Sequence, residues 1–186
     1  DYRLSPQVAY PVFIEDSAQA VAWTLKNIGQ YGGNAARVFV AGHSAGAYNA
    51  AMIALDPRWL AKFGATPAQL SGWIGIAGPY DFLPIVAKSI KPAFLYPNTP
   101  VDSQPIRHVS ALAPPTLLMF GTADRVVDPT RTSKRLAFEL RNDKASVQSI
   151  KFDGVGHGML VGAFAPLLRT YVPVLDDIRT FIDQPN

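Results

Sequence analysis

Four short apolar runs recur along the chain: RVFVA at Arg37–Ala41, WIGIA at Trp73–Ala77, TLLMF at Thr116–Phe120 and VQSIKF at Val147–Phe152. Each has the length and β-branched or aromatic content of a buried strand. Between them lie stretches of helical period. After Pro11, the segment Val12–Gln30 carries Val21, Leu25 and Ile28 at i, i+4 and i+7, and Tyr31-Gly32-Gly33-Asn34 stops it. The Ala-rich segment Ala45–Leu55 runs to Asp56-Pro57. A third helix is predicted after Asp128 as N-cap, with Pro129 at its first position and Leu136 and Leu140 one turn apart. A fourth covers Pro173–Ile182, with Val174, Ile178 and Phe181 on one face. Strands separated by helices cannot be paired by hairpins and need crossovers, which makes the sheet mainly parallel. The expectation is an α/β fold in one domain over residues 1–186. The Pro- and aromatic-rich stretch 82–113, which has no period, reads as an irregular, lid-like insertion over one end of the sheet.

Composition excludes several function classes. The chain is 48% hydrophobic and 17% charged, as expected of a globular domain with a sizeable core. Its net charge is +3 and no run of five or six Lys or Arg occurs, so no nucleic-acid footprint is visible. Without cysteine there are no disulfides or thiolate metal sites. No apolar stretch is long enough to span a membrane. Neither H-E-x-x-H nor another clustered ligand set is present, and GVGHG at Gly154–Gly158 lacks the spacing of a phosphate loop. No cofactor or metal is implied. The chain opens on Asp1 rather than Met, as a processed or partial chain does.

In parallel α/β sheets ligands sit at the carboxyl ends of the strands, so the informative residues are those just after the four runs. The first run leads into VAGHSAG, Val40–Gly46. A serine between two glycines, with a strand before and a helix after, fits the G-x-S-x-G nucleophile elbow. Gly42 and Gly46 allow close backbone approach at the bend. Ser44 is lifted above the sheet, and the N–H of Ala45 opens the next helix, where free donors favour an oxyanion. A serine hydroxyl needs a base, and the base needs an orienting carboxylate. Of the three histidines, His157 lies in a Gly-rich loop just after the fourth run. His43 adjoins the serine, so its side chain is expected to point elsewhere and to pack or hydrogen-bond in support. His108 precedes the third run, on the surface or in the insertion. Asp124 follows the third run directly. Asp128 is better used as a cap, Asp153 as a turn residue, and Asp81, after the second run, is the weaker candidate. The order Ser44, Asp124, His157 is that of the α/β-hydrolases.

The chain resembles the esterase/lipase group of the α/β-hydrolases over essentially its whole length. The motifs that carry the resemblance are DYRLSP, FIEDSAQAVAWTLKNI, VFVAGHSAGAYNAA, IAGPYDF, LLMFGTADRVVD and FDGVGHGM. The small carboxylesterase and kynurenine-formamidase-like enzymes, many with His before the elbow serine, are the nearest subgroup. The resemblance implies hydrolysis of a small-molecule carboxylic ester through Ser44, His157 and Asp124, with Ala45 in the oxyanion hole. An amide hydrolase such as an arylformamidase is the alternative chemistry. A non-catalytic α/β module, or an inactive fragment, is the alternative outside enzymology. The family's His-Gly-Gly oxyanion loop is absent here, and DYRLSP resembles the close of the family's fourth strand. The resemblance therefore implies the C-terminal part of a longer enzyme, with strand Arg37–Ala41 left as a bare edge. Phe82, Ile85, Phe94, Leu95 and Tyr96 are candidates for an acyl pocket or for plain core packing.

Overall fold

The computed structural model describes residues 1–184. Its sheet contains β1 (Phe39–His43), β2 (Gly72–Ile76), β3 (Thr116–Gly121) and β4 (Val147–Phe152), in that spatial order and all parallel. Every residue of β2 and β3 is buried, whereas β1 and β4 are only partly covered. This is why the two central runs read as nearly continuous apolar stretches, Thr116 excepted: both their faces are packed.

Helices α1 (Val12–Asn27), α2 (Ala45–Leu55), α3 (Pro57–Ala61) and α4 (Arg135–Asn142) contribute to the core on one face, and α5 (His157–Gly162) and α6 (Val174–Ile182) to that on the other. Side-chain alternation divides the strands accordingly. Trp73 and Leu118 face the first group of helices, while Ile74, Ile76, Leu117 and Met119 face α5 and α6. In α2 every residue from Ala47 to Leu55 is buried. An all-round apolar helix is a core helix, and its alanines let it lie close to both the sheet and α1.

β2 lies one residue earlier than its run and β3 is one residue longer, and three further expected boundaries shift. β1 starts two residues later than the apolar run and extends to His43. An Asx turn explains the start: Asn34 accepts from Ala36 N at 2.9 Å through its side chain and from Arg37 N at 2.9 Å through its carbonyl, and Arg37 is drawn off to Ile182 O and Asp183. Pairing with Gly75 and Ile76 carries the strand on to His43. Second, α1 ends at Asn27 and tightens into a 3₁₀ turn over Ile28–Tyr31. Third, the helix after Asp128 begins as a π turn over Thr130–Lys134 before α4. Asp128 caps it as expected, accepting from Thr130 N at 2.8 Å.

The stretch 82–113 forms four short 3₁₀ turns. Its later half is held firmly: Tyr48 donates to Ser103 O at 2.8 Å, Phe82 N donates to Gln104 Oε1 at 2.8 Å, and Arg58 bridges Asp56 and Asp102.

Candidate active site

The bend between β1 and α2 is sharp. Ser44 adopts φ 55° and ψ −118°, a region that L-residues occupy only under constraint, at a cost of about 1–3 kcal/mol. A Cβ built on Gly42 would lie 2.2 Å from the carbonyl carbon and oxygen of Gly46. That glycine is therefore required by close approach. The second is not: a Cβ on Gly46 meets nothing within 4 Å, which corrects the symmetrical reading of the two glycines.

Ser44 occupies the N-cap position of α2, yet its side chain caps nothing. Its Oγ lies 2.9 Å from His157 Nε2. The Nδ1–H of His157 faces Asp124 Oδ2 at 2.7 Å. The other carboxyl oxygen, Oδ1, accepts from the backbone N–H groups of Val126 at 2.8 Å and Val127 at 2.9 Å. Both Asp124 oxygens are thus occupied by donors, and the side chain is buried. Asp124 and His157, 33 positions apart in sequence, meet because the loops after β3 and β4 are laced together. Ala123 N donates to Val155 O at 3.1 Å and Gly154 N to Thr122 Oγ1 at 2.9 Å. The loops approach so closely that a Cβ on Gly121 would stand 2.0 Å from Val155 O.

The remaining candidates stand outside this relay. Asp81 pairs with Arg135. Asp153 is exposed and pairs with Lys151 at 3.1 Å. His108 lies 2.7 Å from the carbonyl of Asp102, with Asp56 3.7 Å away, in the anchor of the irregular stretch. The expectation for His43 is half right. It does hydrogen-bond in support, but it does not point away from the serine's partner: its Nε2 lies 3.1 Å from the carbonyl oxygen of His157.

Burial is the main cause that holds the His43 imidazole below the usual histidine value, and charge on His157 adds to it; the bond to His157 O and the Asp124 carboxylate oppose it. The folded value lies under the unfolded value of about 6.5, so the unfolded chain binds this proton more readily. The contribution to stability is therefore complete above about pH 6.5 and is lost as pH falls through the folded value. Urea unfolding is expected to show a shallower loss of stability between pH 7 and 5 for His43→Gln than for the unaltered chain. Equal slopes would contradict this assignment.

Beside Ser44 opens a cavity of about 660 Å³. Phe13, Tyr48, Phe82 and Phe94 pack edge to face along one wall. Leu95 and Tyr96 do not line it. Leu95 takes a left-handed conformation, and Tyr96 turns outward under the Lys91 ammonium, 3.9 Å from its ring centre. Ile85 is buried away from the cavity. The cavity also includes residues that pattern reading did not single out, notably Arg131 and Thr132 on the π turn. Their signal was positional: they lie one turn into the helix that follows the Asp124 loop. Arg131 donates to Leu83 O and so ties that turn to the irregular stretch. Among the described residues no group of three or more His, Cys, Asp or Glu is gathered as a metal site would require, and no helix is long and apolar enough to cross a membrane.

Solved structures share this architecture. Butyrate-bound esterase 2 of Thermogutta terrifontis superposes with a TM-score of 0.74 at 20% identity, over 100% of this chain and 73% of its own. The acetyl ester-xyloside bifunctional hydrolase of Caldicellulosiruptor lactoaceticus gives 0.76 at 17%, over 95% and 68%. The fold is that of the α/β-hydrolases. Among curated relatives, the esterase LipC of Mycobacterium tuberculosis is 28% identical over 176 residues, covering 85% of this chain and 43% of LipC. The probable isoprenylcysteine alpha-carbonyl methylesterase ICMEL1 of Oryza sativa subsp. japonica is 29% identical over 210 aligned positions, covering 100% and 48%. The chain thus spans less than half the length of these two relatives. The BD-FAE family model matches residues 1–140, and the chain belongs to that family, of the esterase type of α/β-hydrolases.

Proposed function

We propose that this chain carries the catalytic residues of a carboxylic ester hydrolase working through an acyl-enzyme. The observation that carries the reading is the continuous relay from Ser44 Oγ through His157 to Asp124, at 2.9 and 2.7 Å. Ser44 attacks the ester carbonyl and passes its proton to His157 Nε2, while Asp124 orients the ring and stabilises its charged form. The N–H of Ala45, at the open N-terminus of α2, donates to the oxyanion; one such donor is worth about 2.7–4 kcal/mol in the transition state. His157 then protonates the departing alcohol. Water, activated by the same imidazole, releases the acid.

The aromatic wall and the cavity size support a small to medium ester with an apolar part beside the carbonyl. Lining residues between Phe82 and Phe94, with Arg131 tied to Leu83 O, support the first part of the 82–113 stretch as a wall of the cavity. The test is labelling with a fluorophosphonate probe, followed by turnover of short-chain nitrophenyl esters. Stoichiometric labelling that is lost in Ser44→Ala is the expected result. A folded chain that takes no label and cleaves no ester overturns the reading.

A further inference from the structure

Ser44 and His43 are consecutive, and consecutive residues of a strand point to opposite faces. Here they do not diverge. His43 is the last residue of β1 and sits on the same side of the strand as Phe39 and Ala41, the side that faces α5 and α6. The positive φ of Ser44 swings its own side chain round toward that side. Both side chains therefore reach the same residue. Ser44 Oγ lies 2.9 Å from the ring Nε2 of His157, and His43 Nε2 lies 3.1 Å from its main-chain oxygen. The imidazole rings of His43 and His157 are 4.6 Å apart between centres and inclined by 49°.

A carbonyl oxygen can only accept, so Nε2 of His43 bears the hydrogen. We infer that His43 is a positioning residue for the hydrolytic reaction: its Nε2–H holds the backbone of His157 at the first turn of α5 and so fixes the distance between base and nucleophile. The inference rests on the esterase reading and extends it. His157 is the first residue of a six-residue helix that begins after a Gly-rich turn. Asp124 fixes one edge of its ring and Ala123 N holds the chain at Val155 O from the β3 side, but the main chain of α5 itself needs a hold from the β1 side. His43 supplies one from the strand that carries the serine, so nucleophile and base share a two-point grip and move together. Displacement of a reacting group by about 1 Å can cost a hundred-fold in rate, which sets the scale of what this anchor protects.

The test compares His43→Leu, which fills similar space without a donor, with His43→Gln, whose amide nitrogen reaches the position of Nε2. Should the Leu variant not fold, His43→Asn, whose amide stops short, replaces it. Thermal unfolding confirms the fold in each case. The donor-less variant is expected to lose at least about tenfold in kcat with KM nearly unchanged, and Gln to recover most of that loss. A loss under tenfold, a loss in KM, or an equal loss in Gln overturns the proposal. If the unaltered chain neither takes fluorophosphonate nor cleaves esters, the esterase reading fails by itself, and the far-downfield Nδ1 proton resonance of His157 serves in its place. It should shift in the Leu variant and return in Gln; an unmoved resonance overturns the positioning role.

Discussion

Replacing His157 with Ala is expected to lower kcat for ester hydrolysis on the order of a million-fold, the scale typical of losing the base of such a relay. Asp124→Asn is expected to lose on the order of ten thousand-fold, and the reason is specific to this loop. An Asn at 124 could in principle turn its oxygen toward His157 and behave nearly as Asp does. The backbone forbids it. Oδ1 of Asp124 accepts from Val126 N at 2.8 Å and Val127 N at 2.9 Å. An amide NH2 placed there would face two donors, so the oxygen must stay on that side. The NH2 then points at His157 Nδ1, which can only answer as an acceptor. The ring's hydrogen moves to Nε2, facing Ser44, and the base can no longer take the serine proton. Folding should be little changed. Steady-state kinetics with a thermal melt would check both parts: an Asn variant within tenfold of the unaltered chain would mean that Asp124 does not set the tautomer.

Gly42→Ala carries the largest expected loss of stability. Its new methyl would stand 2.2 Å from the carbonyl carbon and oxygen of Gly46 and 2.5 Å from Ala47 N. These are main-chain atoms of the first turn of α2, a helix buried along nearly its whole length between sheet and α1. Neither partner can rotate aside as a side chain would. Forced overpacking of this kind costs about 3 kcal/mol, or roughly 6–12 °C in melting temperature for a chain of this size. What relief is available separates β1 from α2 and so moves Ser44. Gly46→Ala is the contrast. Space around it is open, its φ is not positive, and alanine is favoured over glycine in a helix by up to about 1 kcal/mol. That variant is expected to melt at or above the temperature of the unaltered chain. Paired melts decide the matter; equal losses at 42 and 46 would mean that the elbow glycines act through something other than close approach.

Much of the architecture was legible because burial on both faces leaves an unambiguous trace. The runs at Trp73–Ala77 and Thr116–Phe120 are apolar throughout except at Thr116, whose hydroxyl donates to Pro114 O. The juxtaposition of Ser44, Asp124 and His157 was legible for a geometric reason: a parallel sheet presents all its strand ends on one side, so residues following β1, β3 and β4 had to come near one another. The catalytic role of that trio is the proposal made above. Less legible were features set by tertiary contacts. The start of β1 depends on an Asx turn and on Arg37 reaching the end of α6. The outward turn of Tyr96 depends on Lys91. The convergence of His43 and Ser44 could not be read from alternation, because the positive φ of Ser44 breaks alternation at that step. The π turn that brings Arg131 to the cavity leaves no mark in apolar spacing.

That same dihedral has a consequence for how such a chain can vary. At position 44 the backbone asks for glycine, the one residue that enters positive φ freely, and the proposed chemistry asks for a hydroxyl. The two demands cannot be met together. A lineage released from selection for hydrolysis would gain stability by giving up the serine, and a lineage that keeps it carries a standing conformational cost at its proposed nucleophile. On the proposed reading, a serine at position 44 is a choice of chemistry over backbone ease.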